Sequence, residues 1–287
     1  MESGFKIAVI GLGMIGGSMA YALRGFRSAE IIGCDINEAV CRQAVKNKAV
    51  HRATVDAGEA MEGADLIILC TYPDSIPKLI AENAKHIKSG AVVTDVCGVK
   101  TKLSEDICAV LPPQVDYVGG HPMAGKEVEG FENASPELFW MTGFIVTPVE
   151  SSKPESIALI REMAHFIGAT RITESSPREH DRVIAYTSDL MHIAASALCL
   201  DYPEEMNRAY TAGAFRDCTR VANINPALWT ELFMENAEFT LSEIDRLTGS
   251  LGRLRQAIFQ RDEQEITRLL EKVRQNKLAM QKKEPQL

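Results

Sequence analysis

His121 is the residue with the clearest chemical potential, and it stands in the run GGHPMAGKE at positions 119–127. A histidine near its reference pKa of about 6.5 can accept a proton from a hydroxyl group while hydride leaves the same carbon. The proline after it restricts the backbone, and the flanking glycines leave room around the ring. We predict that His121 is catalytic; the alternative is a histidine that only caps its loop.

The chain also carries a glycine pattern that fits a hydride-accepting cofactor, because residues 7–17 read IAVIGLGMIGG. Gly11 permits a tight turn from strand to helix, Gly13 lets the backbone approach a pyrophosphate, and Gly16 lets the helix lie close to the strand. The next apolar run ends in Asp35, whose carboxylate can accept a hydrogen bond from a ribose 2′-hydroxyl and would repel a 2′-phosphate. The pattern predicts NAD rather than NADP; a glycine turn without a ligand is the alternative.

The predicted cofactor site combines the glycine loop with the ends of the strands that follow. In a parallel sheet the carboxyl ends of the strands border one crevice, and ligands bind there. His121 follows a predicted strand that ends at residue 119, so it should face the same crevice. The predicted cofactor-binding residues are Gly11, Leu12, Gly13, Met14, Ile15, Gly16, Asp35, Thr71 and Asp95.

A polar stripe follows the helical spacing of three and four in the second half of the chain. Buried polar groups need hydrogen-bond partners, so the stripe is either one wall of a pocket for a polar substrate or a polar seam between helices. The residues of the stripe are Ser188, Asp189, His192 and Ser196.

Arg220 follows Asp217 by three residues on a predicted helical turn, so the carboxylate can orient the guanidinium. The planar guanidinium suits bidentate binding of a substrate carboxylate. The alternative is a surface salt bridge that contributes less than about 1 kcal/mol.

These residues require two kinds of element. Strand and helix signals alternate up to residue 173, and beyond it only helices are predicted, at 178–200, 203–209, 226–247 and 251–281. We therefore predict an α/β fold: a Rossmann-type, doubly wound parallel sheet in residues 1–173 and an all-α domain in residues 174–287. Helices that are apolar around most of their circumference need a covering partner, so the second domain should form a homodimer.

The composition is that of an ordinary globular protein of 287 residues with a formal net charge of −8. The negative charge disfavours binding to nucleic acid or to an anionic membrane, and we expect neither partner. The seven cysteines are scattered and include no Cys-x-x-Cys pair. They indicate reduced thiols in a cytoplasmic protein, and no metal site is predicted.

Together these motifs resemble the prephenate and arogenate dehydrogenase family of tyrosine biosynthesis. The resemblance rests on four segments in the same order and spacing: HPMAG followed by Glu127, Thr-Ser-x-Leu-x-His at 187–192, Phe-Arg-Asp-x-Thr-Arg at 215–220 and Asn-Pro-x-x-Trp at 225–229. It extends from the glycine loop almost to the C-terminus.

The resemblance implies NAD-dependent oxidative decarboxylation of prephenate to 4-hydroxyphenylpyruvate. By the same matching, His121 accepts the hydrogen bond or proton of the ring hydroxyl, and Arg220 binds a substrate carboxylate while Asp217 holds Arg220. His192 and Ser188 line the substrate pocket, and Glu127 lies near its mouth. The family's helical domain usually forms the dimer.

Two positions depart from the family pattern. The family commonly has Asp-Val-x-Ser-x-Lys after the fifth strand, where the serine lies near the nicotinamide and the substrate hydroxyl, but this chain has Gly98 at the serine position. A water could take the place of that hydroxyl. The family's frequent Ser-His-Leu-Pro-His is here Ser-Asp-Leu-Met-His, so Asp189 replaces a histidine.

Three other functions remain open at this point. The substrate can be arogenate, because the group that distinguishes it from prephenate lies far from His121. The chain can be another NAD-dependent hydroxyacid dehydrogenase, although such enzymes more often use a lysine in the region where this chain has Arg178, His180 and Asp181. It can also be an NAD-binding sensor without turnover, and Gly98 is the residue that keeps this alternative open.

Overall fold

A computed structural model of the chain describes residues 4–203 and 208–283. The chain divides into two compact units, Met1–Ala237 and Glu238–Leu287. The first unit contains the sheet and every predicted site residue, and the second contains two long helices.

The sheet occupies most of the first unit. Its strands are β1 (Lys6–Ile10), β2 (Glu30–Cys34), β3 (Arg52–Thr54), β4 (Leu66–Leu69), β5 (Val92–Asp95), β6 (Asp116–Met123), β7 (Gly143–Pro148) and β8 (Arg171–Glu174). They are ordered β3-β2-β1-β4-β5-β6-β7-β8. Neighbouring strands are parallel except β6 and β7. The predicted doubly wound sheet is confirmed.

Strand β6 differs from the prediction and shapes the crevice. It pairs with β5 only at Asp116 and Tyr117, and then runs antiparallel to β7 as far as Met123. His121 therefore lies within the strand, opposite Ile145, and the predicted strand end at residue 119 is wrong. The apolar signal stops at two glycines although the backbone ladder continues. The ladder between β6 and β5 ends after these two residue pairs, but β6 stays next to β5: a Cβ added to Gly120 would lie 3.0 Å from the carbonyl oxygen of Asp95.

Helices cover both faces of the sheet. They are α1 (Met14–Ala22), α2 (Glu38–Lys46), α3 (Ala57–Met61), α4 (Ile76–Asn83), α5 (Thr101–Val110) and α6 (Pro154–Phe166). Alternate residues of β1 enter different cores: Ile7 and Val9 pack on one face, and Ala8 and Ile10 on the other. Burial on both faces is the property of a parallel sheet between two helical layers.

The helices of the second half are more broken than predicted. They are α7 (Pro177–Ile184), α8 (Leu190–Leu200), α9 (Gly213–Thr219), α10 (Pro226–Glu235), α11 (Ala237–Gln260) and α12 (Glu263–Lys283). The predicted helix at 226–247 is interrupted at Asn236, and the one at 251–281 at Arg261, which has a positive φ of 53°. Of the predicted helix at 203–209, residues 204–207 lie outside the described residues, and Arg208–Tyr210 is a 3₁₀ turn.

The predicted helix at 178–200 consists of α7, a π-helical segment at Ala185–Asp189 and α8. By length and composition alone, Pro177–Leu200 could cross a membrane. The core helices of soluble proteins also meet these two criteria, and α7 carries the buried polar residues His180 and Asp181. Single-turn π-helical segments are frequent at functional sites.

The second unit consists of α11 from Glu238 onwards and α12. The turn between them is closed by hydrogen bonds from the amides of Arg261 and Asp262 to the carbonyls of Ile258 and Ala257. Both helices expose large apolar side chains, which are Leu241, Leu251, Ile258, Phe259, Leu270, Val273, Leu278 and Met280.

The close packing of α1 on β1 gives a test of the glycine loop's structural role. A Cβ added to Gly16 would lie 1.8 Å from the carbonyl oxygen of Gly11, which is backbone and cannot move away alone. We expect Gly16→Ala to lower the free energy of unfolding by about 1–3 kcal/mol, measured by urea denaturation.

Gly249→Ala is the matched control, because Gly249 is exposed within α11 and has no neighbouring atom within 4 Å of an added Cβ. Its free energy of unfolding should be unchanged or higher by up to about 1 kcal/mol. Wild-type stability in Gly16→Ala would show that the helix does not need this close approach.

Candidate functional site

The glycine loop between β1 and α1 has the shape that a dinucleotide requires. Gly11 has a positive φ of 91°, and an added Cβ would lie 2.5 Å from the carbonyl oxygen of Cys70. A Cβ on Gly13 would meet nothing within 4 Å, so the backbone there borders open space that a pyrophosphate can approach. Met14 and Ile15 form the first turn of α1, whose amides face this space.

Asp35 lies directly after β2 and is held against the same loop. Its Oδ2 atom accepts a hydrogen bond from the amide of Leu12 at 2.9 Å, and its Oδ1 atom accepts one from the amide of Asn37 at 2.9 Å. Each carboxylate oxygen has a further lone pair, so a ribose hydroxyl can still donate to Asp35. The loop and Asp35 together fit the adenosine half of a dinucleotide.

Thr71 lies where the crevice continues past β4. Its methyl group would be 3.0 Å from a Cβ on Gly11, and its hydroxyl accepts a hydrogen bond from Ser75. The side chain is half-buried at the edge of the glycine loop, so contact with a cofactor is sterically open to it. Its predicted role as a cofactor contact stays a prediction.

Asp95 does not lie where a cofactor could touch it. Its side chain is fully buried and accepts hydrogen bonds from Lys100 Nζ (2.6 Å), the Cys97 amide (2.8 Å) and the Tyr117 hydroxyl (2.7 Å). We therefore correct its predicted contact with the cofactor: a carboxylate without exposed surface supports the loop from inside. The sequence could not separate these roles, because both place the residue at the end of a strand.

Lys100 holds the loop at residues 95–100 in shape. Its ammonium group is fully buried and donates to Asp95, to the carbonyl of Cys97 at 2.6 Å and to the carbonyl of Val99 at 3.2 Å. All three of its protons therefore have acceptors. The loop closes around this cation and carries Gly98 at its tip.

His121 lies beside that tip. A Cβ on Gly98 would lie 3.9 Å from Cε1 of His121 and 3.6 Å from Cδ2 of Leu232. Position 98 thus borders both the imidazole and α10; its contact with the nicotinamide and the substrate hydroxyl, which the family resemblance implies, stays a prediction. Burial holds the pKa of His121 well below its usual value, and a positive charge on His180, when it is protonated, or on Lys100 lowers it further. The imidazole is therefore neutral at physiological pH.

His180 and Asp181 at the start of α7 lie behind His121. His121 Nδ1 is 2.8 Å from His180 Nε2, and His180 Nδ1 is 2.8 Å from Asp181 Oδ1. The carboxylate of Asp181 also accepts hydrogen bonds from the backbone amides of Lys100 (to Oδ1, 2.9 Å) and Thr101 (to Oδ2, 2.7 Å) at the start of α5. Sequence reasoning did not assign these two residues a role. The adjacent histidine and aspartate, followed by the long apolar run from Val183 onwards, are the signal that could have found them.

His192 lies on α8 and packs against Trp229 of α10, with the ring centroids 3.6 Å apart. Its Nδ1 atom lies 3.0 Å from the carbonyl oxygen of Ser188, so Nδ1 donates there and Nε2 is left for another partner. Burial lowers the pKa of His192, so the neutral form dominates at physiological pH. Ser188 enters this arrangement through its backbone.

Arg220 forms an ion pair with Glu127. The side-chain amide (Nδ2) of Asn223 also donates a hydrogen bond to the backbone carbonyl of Glu127 at 3.1 Å. This contact holds the loop after β6 next to the turn after α9. The predicted pairing of Arg220 with Asp217 is wrong: among residues 4–203 and 208–283, Asp217 has no ion pair within 4 Å. Helix α9 ends at Thr219, so Arg220 leaves the helical spacing on which that prediction relied.

Asp189 is a structural anion rather than a pocket wall. It is buried and accepts a hydrogen bond from Asn236 Nδ2 at 2.7 Å, and the same amide group donates to the carbonyl of Asp181 at 3.0 Å. At this residue the polar stripe therefore forms a seam between helices. His192, one turn later, turns instead towards Trp229.

Helix α10 connects the two groups of polar residues. Trp229 contacts His192, and Leu232, one turn further on, borders Gly98 beside His121. Lys102 of α5 donates to Glu235 at 2.9 Å, and Asn225 donates to the Tyr72 hydroxyl at 3.0 Å, so α10 lies over the carboxyl edge of the sheet. In the described part of the chain no group of three His, Cys, Asp or Glu side chains could hold a metal ion.

Comparison with known protein families matches both halves of the chain. Residues 19–173 match the family described as prephenate dehydrogenase, nucleotide-binding domain. Residues 176–272 match the family described as prephenate dehydrogenase, dimerization domain. Asp35 therefore lies within a nucleotide-binding domain, whose matched residues begin just after the glycine loop, and the helical half corresponds to the dimerization domain of these enzymes.

Individual relatives and solved structures agree with this match. The chain is 34% identical to the cyclohexadienyl dehydrogenase of Zymomonas mobilis over 89% of both chains, and 30% identical to the prephenate dehydrogenase of Bacillus subtilis over 91% of this chain and 72% of that one.

Among solved structures, prephenate dehydrogenase from Aquifex aeolicus, in complex with hydroxyphenyl propionate and NAD+, has a TM-score of 0.87 at 28% identity, covering 97% of this chain and 99% of that one. Arogenate dehydrogenase from Synechocystis has a TM-score of 0.81 at 29% identity, covering 96% and 100%. Since both halves match its domains, and relatives align along most of the length, the chain belongs to the prephenate dehydrogenase family.

Proposed function

We propose that this protein is an NAD-dependent prephenate dehydrogenase, which converts prephenate to 4-hydroxyphenylpyruvate in tyrosine biosynthesis. The observation that carries the proposal is the position of His121. It is a neutral, half-buried imidazole at the carboxyl edge of the sheet, and a Cβ on Gly98 would lie 3.9 Å from its Cε1 atom.

NAD, bound by the glycine loop and Asp35, would supply the hydride acceptor. His121 accepts the proton of the ring hydroxyl as the C–H bond breaks and the C=O bond forms. The ring carboxylate then leaves as carbon dioxide, and its bonding electrons complete the aromatic ring and turn the carbonyl oxygen into a phenolate, which takes back the proton held by His121. Aromatisation makes the reaction effectively irreversible.

Arg220 is our candidate for binding a substrate carboxylate. Its guanidinium is exposed and has five N–H donors, so its contact with Glu127 leaves donors for a second anion. Glu127 positions the arginine in place of Asp217. The ring of His192 packs against Trp229, and its Nδ1 atom is used by the Ser188 carbonyl. Its Nε2 atom can therefore contact a substrate in the same pocket.

Arogenate dehydrogenation is the main alternative, and the relatives with cyclohexadienyl and arogenate dehydrogenase names favour keeping it in view. Prephenate and arogenate share the ring, the hydroxyl and the ring carboxylate. They differ only in a side-chain keto or amino group remote from His121. The proposed chemistry at His121 is the same for both.

We also propose that the chain forms a homodimer in the cytoplasm. The match of residues 176–272 to a dimerization domain supports this, as do the exposed apolar side chains of α11 and α12. An exposed apolar surface of this kind commonly marks a protein contact.

A spectrophotometric assay tests the proposed function directly. The protein is incubated with NAD and either prephenate or arogenate, and NADH is followed by absorbance. We expect NADH to form with prephenate. If NADH forms only with arogenate, the substrate is arogenate and not prephenate. If NADH forms with neither compound although NAD binds measurably, the protein is better described as a non-catalytic sensor.

His121→Asn is the matched control for this assay. We expect kcat to fall by about 10²- to 10⁴-fold with intact NAD binding, because the general base is lost while the glycine loop is untouched. In the wild type, kcat/KM should stay constant as the pH falls through about 6.5, because the lowered pKa of His121 keeps the imidazole neutral at that pH. Near wild-type turnover in His121→Asn would remove this residue from the mechanism.

Gly98→Ser tests whether position 98 borders the reacting centre. The nearest atoms to an added Cβ lie at 3.6 Å or more, so the serine fits without strain. We expect a change of kcat or of KM for the substrate, because the new hydroxyl lies next to His121. Gly125→Ser is the control, because an added Cβ there meets nothing within 4 Å. If kcat and KM in Gly98→Ser both equal those of the wild type, position 98 does not contact the reacting centre.

The molar mass in solution tests the homodimer. Light scattering after size exclusion should give about twice the chain mass of 31.6 kDa. Ile258→Glu, which places a charge on the exposed apolar surface of α11, should shift the protein towards the single-chain mass. A single-chain mass for the wild type at micromolar concentration would contradict the proposal.

A further inference from the structure

We propose that His180 and Asp181 are positioning residues that fix His121 in the tautomer with a bare Nε2 atom. The proposal stands on the row of contacts from His121 Nδ1 to His180 Nε2 (2.8 Å) and from His180 Nδ1 to Asp181 Oδ1 (2.8 Å). Its consequence for catalysis rests on the proposed function, in which His121 Nε2 takes the substrate proton.

The direction of the hydrogen bonds is set at the Asp181 end. Asp181 accepts two backbone amides, from Lys100 and Thr101, in addition to its contact with His180. Burial raises the pKa of Asp181, but the hydrogen bonds from His180 and Thr101 outweigh it and leave the pKa below its usual value. An ionised carboxylate only accepts hydrogen bonds. His180 Nδ1 must therefore carry a proton and donate it.

The same argument passes from His180 to His121. Burial lowers the pKa of His180, although Asp181 partly offsets this, so the ring is neutral and holds one N–H. Because that proton is on Nδ1, Nε2 of His180 is an acceptor, and His121 Nδ1 must donate to it. His121 is also neutral, so its own Nε2 atom is bare. A neutral imidazole can act as a base at that atom only in this tautomer.

The row of contacts also stabilises the cation that forms when His121 takes a proton. The charged groups that face the two rings are Lys100, Asp95 and Asp181. Lys100 opposes a positive charge on either ring, but its ammonium is paired with Asp95. Asp181 carries the remaining negative charge and faces His180. A carboxylate orients and stabilises a catalytic histidine directly in the serine protease triad; here Asp181 acts on His121 through the ring of His180.

Nitrogen-15 NMR of the histidine side chains tests the tautomer without any substrate. The chain has six histidines, and the signal missing from His121→Asn assigns His121. We expect a protonated Nδ1 and a bare Nε2 for His121 in the wild type at neutral pH. A protonated Nε2 atom would overturn the proposal, and this measurement needs no substitution of His180.

Two variants of His180 then separate positioning from packing. His180→Phe keeps a planar ring but removes the acceptor, so His121 should lose its tautomer preference and kcat should fall by about 100-fold. His180→Gln can place an amide oxygen near the former Nε2 atom and should retain the tautomer and most of kcat. Equal tautomer populations and equal kcat in the wild type and His180→Phe would contradict the proposal.

Asp181→Asn and Asp116→Asn form a matched pair at the other end. Both aspartates are buried and accept two backbone amides, but Asp116 accepts those of Tyr117 and Lys153, and the structure describes no histidine contact for it. Asp181→Asn should change the His121 tautomer and lower kcat, whereas Asp116→Asn should alter only stability. An unchanged tautomer in a folded Asp181→Asn would overturn the role of Asp181.

The outcomes also separate this proposal from the proposed function. NADH formation from prephenate together with a protonated Nε2 atom on His121 would leave the function standing and overturn the positioning role. If the protein shows the predicted tautomer but oxidises neither prephenate nor arogenate, the role of His180 and Asp181 in fixing the tautomer stands and the proposed function is overturned.

Discussion

The buried ion pair of Lys100 and Asp95 is the interaction on which the site depends. Both side chains are fully buried, and a buried charge is tolerated only when its partner and hydrogen bonds compensate for lost water. Here the ammonium of Lys100 donates hydrogen bonds to three acceptors, and the carboxylate of Asp95 also accepts one from the Tyr117 hydroxyl of β6. One ion pair therefore closes the loop after β5 and joins it to the strand that carries His121.

The same residue connects the sheet to the helices. The backbone amide of Lys100 donates to Asp181 of α7, while its side chain is held on the sheet side. Asn236, at the end of α10, then joins Asp181 to Asp189. A network of this kind is stable when every member has a partner, and losing one member leaves a buried charge uncompensated. The buried polar network therefore fixes Lys100, Asp181 and Asp189 against one another next to His121.

Local patterns predicted the first half of the fold well. The glycine loop, helix α2 at Glu38–Lys46 and the strand at β2 follow from spacing and apolar runs, because these elements are set by neighbouring residues. The short edge strand β3 at Arg52–Thr54 was missed, since three partly exposed residues give no apolar signal. The antiparallel turn of β6 onto β7 was missed because it depends on strand partners far along the chain.

The site followed the same rule. His121, the glycine loop and Arg220 were predicted because their signals are local, and the family resemblance added Gly98 and Glu127. The contact of Arg220 with Glu127 spans 93 positions, and that of His121 with His180 spans 59, so spacing could not find either. An i, i+3 rule favoured Asp217 for Arg220, but such a rule holds only inside a helix, and this helix ends one residue too early.

The two departures from the family pattern have different physical meanings. Asp189 replaces a frequent histidine, but its carboxylate is buried in the helix seam and bonded to Asn236, so the substitution changes packing and not the charge of the pocket. Gly98 lies at the tip of a loop that Lys100 holds in shape, and a Cβ there would lie at ordinary contact distance from His121 and Leu232. Only the second departure changes the immediate surroundings of His121, the proposed base.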